Sequence, residues 1–253
     1  MKFNTLYYDN VLFDIDATYV IHLLNNGRFD AMYQQLNTYK PSEKVHILEN
    51  PGYKTKPHIQ QAPAYDLIHC FKYIFNDAKE KHYKTILILE DDFFFSDDIY
   101  HENLRQIEKV VKQSKGPILY HLGTLPILRF QSYLFLSCGA HSILYNEHAI
   151  DKMLDKLDYC VHDYDLFINT HFMFQRYSTK KPLCYQLFPE TENQKQWYNL
   201  FYLISLFKLL LKFLKLDKQI QPGYGFFYFM SQLLFIILIF ILIILIHYLF
   251  SLF

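Results

Sequence analysis

Apolar positions along most of the chain follow two alternating periodicities. Residues 18–24 form a short apolar, β-branched run closed by Asn25-Asn26-Gly27, the pattern of a buried strand entering a tight turn. A helix is expected from about Arg28 to Asn37, and a second strand over Val45–Leu48, stopped by Asn50-Pro51-Gly52. Pro57 and Pro63 mark a loop. Helical spacing returns in Leu67, Ile68, Phe71, Ile74, Phe75 and Ala78, which predicts a helix over 66–79. Residues 85–89, Thr-Ile-Leu-Ile-Leu, are apolar on both faces from Ile86 onward, as a central strand covered by helices on each side must be.

The same alternation continues downstream. A helix is expected over 103–112, strands over 117–122, 132–136 and 140–145, a helix capped by Asn146, and a further helix over 163–174. Strands interleaved with helices predict an α/β sandwich with a mixed central sheet, from about residue 15 to residue 197. The first domain is therefore set at 1–197.

The pattern then changes. Residues 198–218 read as an amphipathic helix carrying Lys208, Lys212 and Lys215, suited either to an anionic membrane surface or to packing on the domain with its lysines in water. From Gln219 to Phe253 there is no Asp, Glu, Lys or Arg, and Leu233–Ile246 is unbroken apolar sequence. Roughly 20 such residues cross a bilayer core, so 226–250 is expected to be a transmembrane helix. Tyr224, Tyr228 and Tyr248 fall near its ends, where aromatic rings favour the headgroup level. The N-terminal apolar residues are interrupted by Asp9, Asp14 and Asp16, so no secretory signal is visible. The lysines precede the span and none follows it, which predicts a tail-anchored, single-pass protein with its large part in the cytoplasm.

Composition narrows the classes. Lys+Arg and Asp+Glu both number 25, so no global field draws nucleic acid to the chain. With 7 glycines there is no GxGxxG or GxxxxGK[ST] string to cradle phosphates. The 4 cysteines, Cys70, Cys138, Cys160 and Cys184, are scattered and read as reduced, mostly core residues.

The chemistry gathers at Glu90-Asp91-Asp92, three carboxylates directly after the most hydrophobic strand, at the end of a strand where α/β sheets bind ligands. Clustered carboxylates repel one another unless a cation neutralises them, and magnesium or manganese prefers oxygen ligands. A metal so placed would supply Lewis-acid charge to a departing diphosphate. The bland alternative is a solvated acidic turn, with Ser96, Asp97 and Asp98 starting the next helix. A third reading is a phosphatase using the D-x-D of Asp14 and Asp16.

Several segments in common order resemble glycosyltransferase family 25, the lipooligosaccharide and procollagen galactosyltransferases. Ile86–Phe93 resembles that family's strand and acidic metal motif, and Tyr19–Leu23 with Arg28 its opening segment, with His22 where the family has Asn. Leu67-Ile68-His69 resembles its "LSH" element, Cys138–Leu144 its "GTHAYVIS" segment and Pro182–Gln186 its late "P-x-x-x-Q" element. His162–Leu166 resembles its "VDxxL" region, with Asp163 and Asp165 competing for one position.

The resemblance implies a GT-A-like nucleotide-binding fold and transfer of a hexose, galactose among the options, from a UDP-sugar to a glycan, lipid or protein acceptor with Mn2+ or Mg2+. It implies a metal held by Asp92 and Asp91, donor contacts from Val20, His22, Arg28, His69, Glu90, Asp91, His141 and Gln186, and Asp163 or Asp165 as catalytic base. Competing structural readings are a surface charge for Arg28, a core histidine for His69, a helix cap for Asp163 and a strand end for Gln186. Thr191–Trp197 is a candidate acceptor-side lip. The departures around His22–Arg28 leave open a catalytically inactive membrane adaptor of the same fold.

Overall fold

The computed structural model describes residues 1–57, 59–60, 62–160, 163–186, 209, 212–216 and 222–251. Nine strands are described: β1 Lys2–Tyr7, β2 Ala17–Leu23, β3 Lys44–Asn50, β4 Thr85–Glu90, β5 Phe93–Phe95, β6 Leu119–Phe130, β7 Tyr133–Asn146, β8 Arg176–Ser178 and β9 Cys184–Gln186. The helices are α1 Phe29–Tyr39, α2 Pro63–Glu80, α3 Leu104–Gln113, α4 Glu147–Lys156, α5 Tyr164–His171 and α6 Pro222–Phe250.

Seven strands form one mixed sheet in the order β1-β3-β2-β4-β7-β6-β8. β3, β2 and β4 run parallel, β7 returns antiparallel to β4, and β6 pairs antiparallel with β7. β5 and β9 make a separate antiparallel pair. The side chains of β4 alternate across two cores. Ile86 and Ile88 face α2, α4 and α5, while Leu87 and Leu89 face α1 and α3. Its unbroken apolar run is what burial on both faces demands.

The expected α/β sandwich with a mixed central sheet is therefore present. The caps follow sequence chemistry. Asn146 accepts from Ala149 N–H to start α4, Asp163 from Leu166 N–H to start α5, and Pro63 enters α2 in its first turn.

Two features differ from the sequence expectation. The sheet starts at Lys2 rather than near residue 15, because β1 pairs with β3 and packs Phe3 on Tyr19 and Tyr73. The segments read as separate strands over 117–122, 132–136 and 140–145 are one long hairpin, β6–β7. Its register shifts between His121 and Leu128 let Pro126 sit within a strand. The pairing Gly123↔Ser142↔Leu89 means that residues beyond Gly123 on β6, and before Ser142 on β7, overhang the carboxyl end of β4.

α6 lies along that overhang. Tyr224 and Tyr228 are buried with Leu125 and Leu216, Arg129 donates to the Tyr228 carbonyl at 2.9 Å, and Phe235 stacks on Phe130 and Phe135. The helix from Gly223 to Phe250, whose most apolar 18-residue stretch has mean hydropathy 3.2, is long and apolar enough to cross a membrane. The expected boundary at 197, the lip at 191–197 and most of the amphipathic segment 198–218 lie outside the described residues.

Candidate functional site

β4 ends at Glu90, and the chain turns through Asp91 and Asp92 before β5 leads it away. This turn sits at the carboxyl edge of the parallel strands, beside the loop joining β2 to α1. The D-x-D alternative lies elsewhere. Asp16 accepts from the backbone N–H of Lys84 and Thr85, and Asp14 pairs with Lys112, all at the entry end of β4. That end also holds a cavity of about 280 Å³ lined by Asp16, Lys84, Lys112 and His148, with none of the residues of the Glu90–Asp92 corner in it.

The three carboxylates have three different environments. Asp91 is buried and turns back under the β2–α1 loop. Its Oδ2 accepts from His22 Nδ1 at 3.0 Å, Leu23 N at 2.9 Å and Asn26 Nδ2 at 2.5 Å, and its Oδ1 accepts from Arg28 Nη1 at 2.9 Å. Burial pushes this carboxyl up, but the hydrogen bond from His22, the Arg28 charge and the bonds from Asn26 and Leu23 outweigh it and hold the acid below its usual range. Four donors use the ordinary accepting capacity of a carboxylate.

Asp92 is also buried, but its surroundings are sparser. Gln186 Nε2 donates to both of its oxygens at 3.2 Å, and Arg28 Nη1 lies 3.6 Å away. Burial, opposed by Arg28 and reinforced by Asp91, pushes it up to about 7. Glu90 is driven well above the carboxylate range by burial first, then by Asp92, Asp165 and Asp91. Acidic groups have been concentrated here beyond what Arg28 offsets.

Across the turn stand β7 and α5. Asp165 Oδ2 accepts from Gly139 N–H at 2.7 Å, and burial followed by Asp163 raises its carboxyl to about 6. Asp163 is exposed and spends Oδ1 on capping α5. Of the two competing aspartates, Asp165 is therefore the one whose charge is felt at Glu90.

His141 is fully buried. Its Nε2 lies 3.3 Å from the Cys184 carbonyl, and burial lowers it to about 4. The neutral ring donates through Nε2, and Nδ1 has no hydrogen-bond partner among the described residues. Gly139, at φ +94°, leaves room beside that nitrogen, because a Cβ there would stand 3.3 Å from Nδ1 and 3.6 Å from Gln186 Oε1.

The remaining candidates sit as follows. His22 and Arg28 meet at Asp91, and Gln186 meets Asp92. Val20 is fully buried in the core with Met32 and Leu36, so its side chain faces no ligand space. His69 is half-buried on α2 and is not among the donors to Asp91 or Asp92 described above.

Three residues not expected at the site from the sequence belong to this region, among them Tyr224, expected at headgroup level but buried against the domain. Asn26 donates to Asp91, and its place in an Asn-Asn-Gly turn was the available signal. Tyr224 of α6 accepts from Gln186 N–H at 3.3 Å. Arg176, fully buried against His121, Asn169 and Ser137, lies close enough to lower Asp165 electrostatically.

A divalent cation suits the chemistry of this corner but not a ready-made cage. Among the described residues no three His, Cys, Asp or Glu side chains converge as a metal cluster. The donors available, Asp92, Glu90 and the Gln186 amide, are hard oxygens, and a cation offsets the burial first and then the mutual repulsion that raise Glu90 and Asp92.

The sequence matches no protein-family model and no curated protein. Solved structures similar in part include two of low sequence identity. One is a glycosyltransferase involved in the glycosylation of the major capsid of PBCV-1, with 8% identity and a TM-score of 0.43 over 69% of this chain and 94% of that one. The other is A197 from STIV, with 11% identity and a TM-score of 0.40 over 70% of this chain and 86% of that one.

Proposed function

We propose that the chain is a membrane-anchored glycosyltransferase that moves a hexose, with galactose the first to test, from a UDP-sugar to a glycan, lipid or protein acceptor. The observation that carries this reading is the uncompensated pair Glu90 and Asp92 at the end of β4, beside Arg28 and opposite Asp165. Asp92, with Glu90 and the Gln186 amide oxygen, would hold Mn2+ or Mg2+, and Asp91 serves by orienting Arg28 and the β2–α1 loop.

When bound, the cation supplies Lewis-acid charge to the leaving diphosphate. Arg28 adds a second positive charge on the phosphate side. The uridine lies against the end of β2 near His22, with Val20 contributing backbone alone. His141 Nδ1 accepts a sugar hydroxyl next to Gly139.

The oxygen of Asp165 that Gly139 does not hold takes the acceptor's proton. The acceptor oxygen bonds to the anomeric carbon as the bond from that carbon to the diphosphate oxygen breaks, and the electron pair leaves with UDP. This single displacement inverts the anomeric centre. A retaining outcome removes the base role from Asp165.

One observation favours the second reading, an inactive adaptor: His22 and Arg28 are both already committed to Asp91. The two readings separate in one experiment on the full chain in vesicles, supplied with manganese and a panel of UDP-sugars. Transfer or hydrolysis that falls about 100-fold or more in Asp92→Ala and in Asp165→Asn supports the enzyme. Turnover unchanged in Asp92→Ala refutes the metal assignment. No turnover, together with no donor-induced rise in melting temperature, supports the adaptor.

A further inference from the structure

The overhanging end of the β6–β7 hairpin carries an apolar surface that the proposed chemistry leaves unused. Phe130, Leu136, Met173 and Phe174 are exposed there, Phe174 at 75%. Phe135 lies between them, against Phe174 on one side and Phe235 of α6 on the other. Exposed aromatics gathered in one place mark a contact surface rather than scattered surface chance.

The helix beside this surface fixes its depth. From Gly223 to Phe250 there are 28 residues, about 42 Å of helix, against a hydrocarbon core of about 30 Å. The surplus is about eight residues. With the far end kept in the bilayer, the core begins near Ser231. Phe235 then lies about 6 Å below that boundary, and Phe130 and Phe135 stack directly on it, at 4.9 and 5.4 Å between ring centroids.

The polar groups of the hairpin end are arranged to match. Lipid cannot satisfy a backbone carbonyl, so an immersed turn must bond its own. The Gln131 carbonyl accepts from Arg129 Nη1 at 2.8 Å, and the Ser132 carbonyl accepts from Ser178 N–H at 2.8 Å. Arg129 also holds the Tyr228 carbonyl, and Lys180 and Lys181, both exposed, follow Thr179 beside it. Lysines thus stand near the level of Tyr228 and phenylalanines near the level of Phe235, cations where headgroup phosphates lie and rings where acyl chains begin.

We infer that the end of the β6–β7 hairpin, with Met173 and Phe174, is a second membrane contact that enters the headgroup–acyl boundary of the leaflet where α6 begins. It rests on the reading of α6 as a membrane anchor. Because α6 is already packed on the domain, a second contact beside it fixes the tilt of the domain against the bilayer. The two contacts hold the Asp92 corner, joined to α6 through Gln186 and Tyr224, at a fixed height over the lipid surface.

The test uses the full chain in vesicles of phosphatidylcholine and phosphatidylglycerol, with the single native tryptophan removed as Trp197→Phe. Single tryptophans are then placed by Phe174→Trp, by Ile243→Trp as the report on the anchor, and by Tyr7→Trp as the report on water. Lipids brominated high or low on the acyl chain quench by depth. The expected result is that Phe174→Trp is quenched by the shallow bromines more than by the deep ones, Ile243→Trp by the deep ones, and Tyr7→Trp by neither.

Quenching at Ile243 with none at Phe174 overturns the hairpin contact and leaves the anchor intact. A blue-shifted Phe174→Trp emission without lipid quenching means that a second copy of the chain covers the surface, and also overturns it. No quenching at Ile243 removes the anchor, and the hairpin inference with it. Because Phe174 is already exposed, its replacement by another aromatic leaves the fold in place, and far-ultraviolet circular dichroism checks this.

Discussion

Neighbouring carboxylates in one turn carry different burdens. Asp91 and Asp92 are adjacent and both buried, yet the first serves four protein donors and the second serves one amide and a distant guanidinium. Removing Asp91 leaves His22, Asn26 and the Leu23 N–H without their acceptor. Asp91→Ala is therefore expected to lower unfolding stability by about 3 kcal/mol. Asp92→Ala, which removes a buried acid with an unfavourable environment, is expected to leave the melting temperature unchanged or raised. Thermal denaturation of the two variants in parallel checks the contrast, and an equal loss in both would contradict it.

Glycine at position 123 is required on steric grounds. A Cβ there would meet the Cys184 carbonyl oxygen at 1.6 Å and His141 Nε2 at 2.8 Å, and the first of these is backbone that cannot move aside. Gly123→Ala is expected to cost about 3 kcal/mol and to displace β9, and with it Gln186. Urea denaturation at fixed pH measures the loss.

At the scale of elements, what could be read from the sequence depended on whether local pattern or distant pairing decides the structure. β2, β3 and β4 are apolar runs ended by turn residues or by acids, and their places are as the pattern predicts. β1 was not legible, because its polar positions face water along the sheet edge and only pairing with β3 makes it a strand. β5 and β9 are three residues each and exist through each other, and the long hairpin was broken in the reading by Pro126 and by irregular register.

The same division governs the site. The position of Glu90–Asp92 after a buried strand was visible in sequence. Which acid is satisfied and which is left open depends on Asn26, Gln186 and Tyr224, residues 65 to 132 positions away from Asp91 or Asp92, and no local pattern carries that information.

The β1–β3 edge also carries a pH dependence. His46 is buried on β3 between Thr5 and Tyr83, and burial followed by Lys81 and Lys44, against the opposing pull of Asp77, lowers it from 6.5 to about 4. The unfolded chain binds a proton there first, so this contribution is complete above pH 6.5 and is lost as pH falls toward about 4. His46→Phe is expected to flatten the fall of the urea midpoint over that interval. An unchanged slope would mean that the acid sensitivity arises elsewhere, His121 and His141 being two further buried imidazoles that burial holds neutral.

For the whole molecule, the carboxyl edge of the sheet is where every functional feature converges. The β2–α1 loop, the acidic turn, the base of the hairpin, β9 and the first turn of α6 meet there through the links Arg28–Asp91, Asp92–Gln186 and Gln186–Tyr224. All four cysteines are free, so this assembly relies on packing and hydrogen bonds rather than on disulfide links. A helix suited to a bilayer is thus hydrogen-bonded into the proposed catalytic corner. The proposed topology is a cytoplasmic domain held at the membrane by α6.

The central claim is that a divalent cation is held at Asp92 and there meets the diphosphate of a nucleotide. Electron paramagnetic resonance of manganese added to the full chain, with and without UDP, tests it most directly. The account predicts loss of the free-manganese signal with the wild-type chain, strengthened by UDP, and its return in Asp92→Asn although that variant remains folded. Free manganese undiminished by the wild-type chain in the presence of UDP, or bound equally by Asp92→Asn, would contradict it.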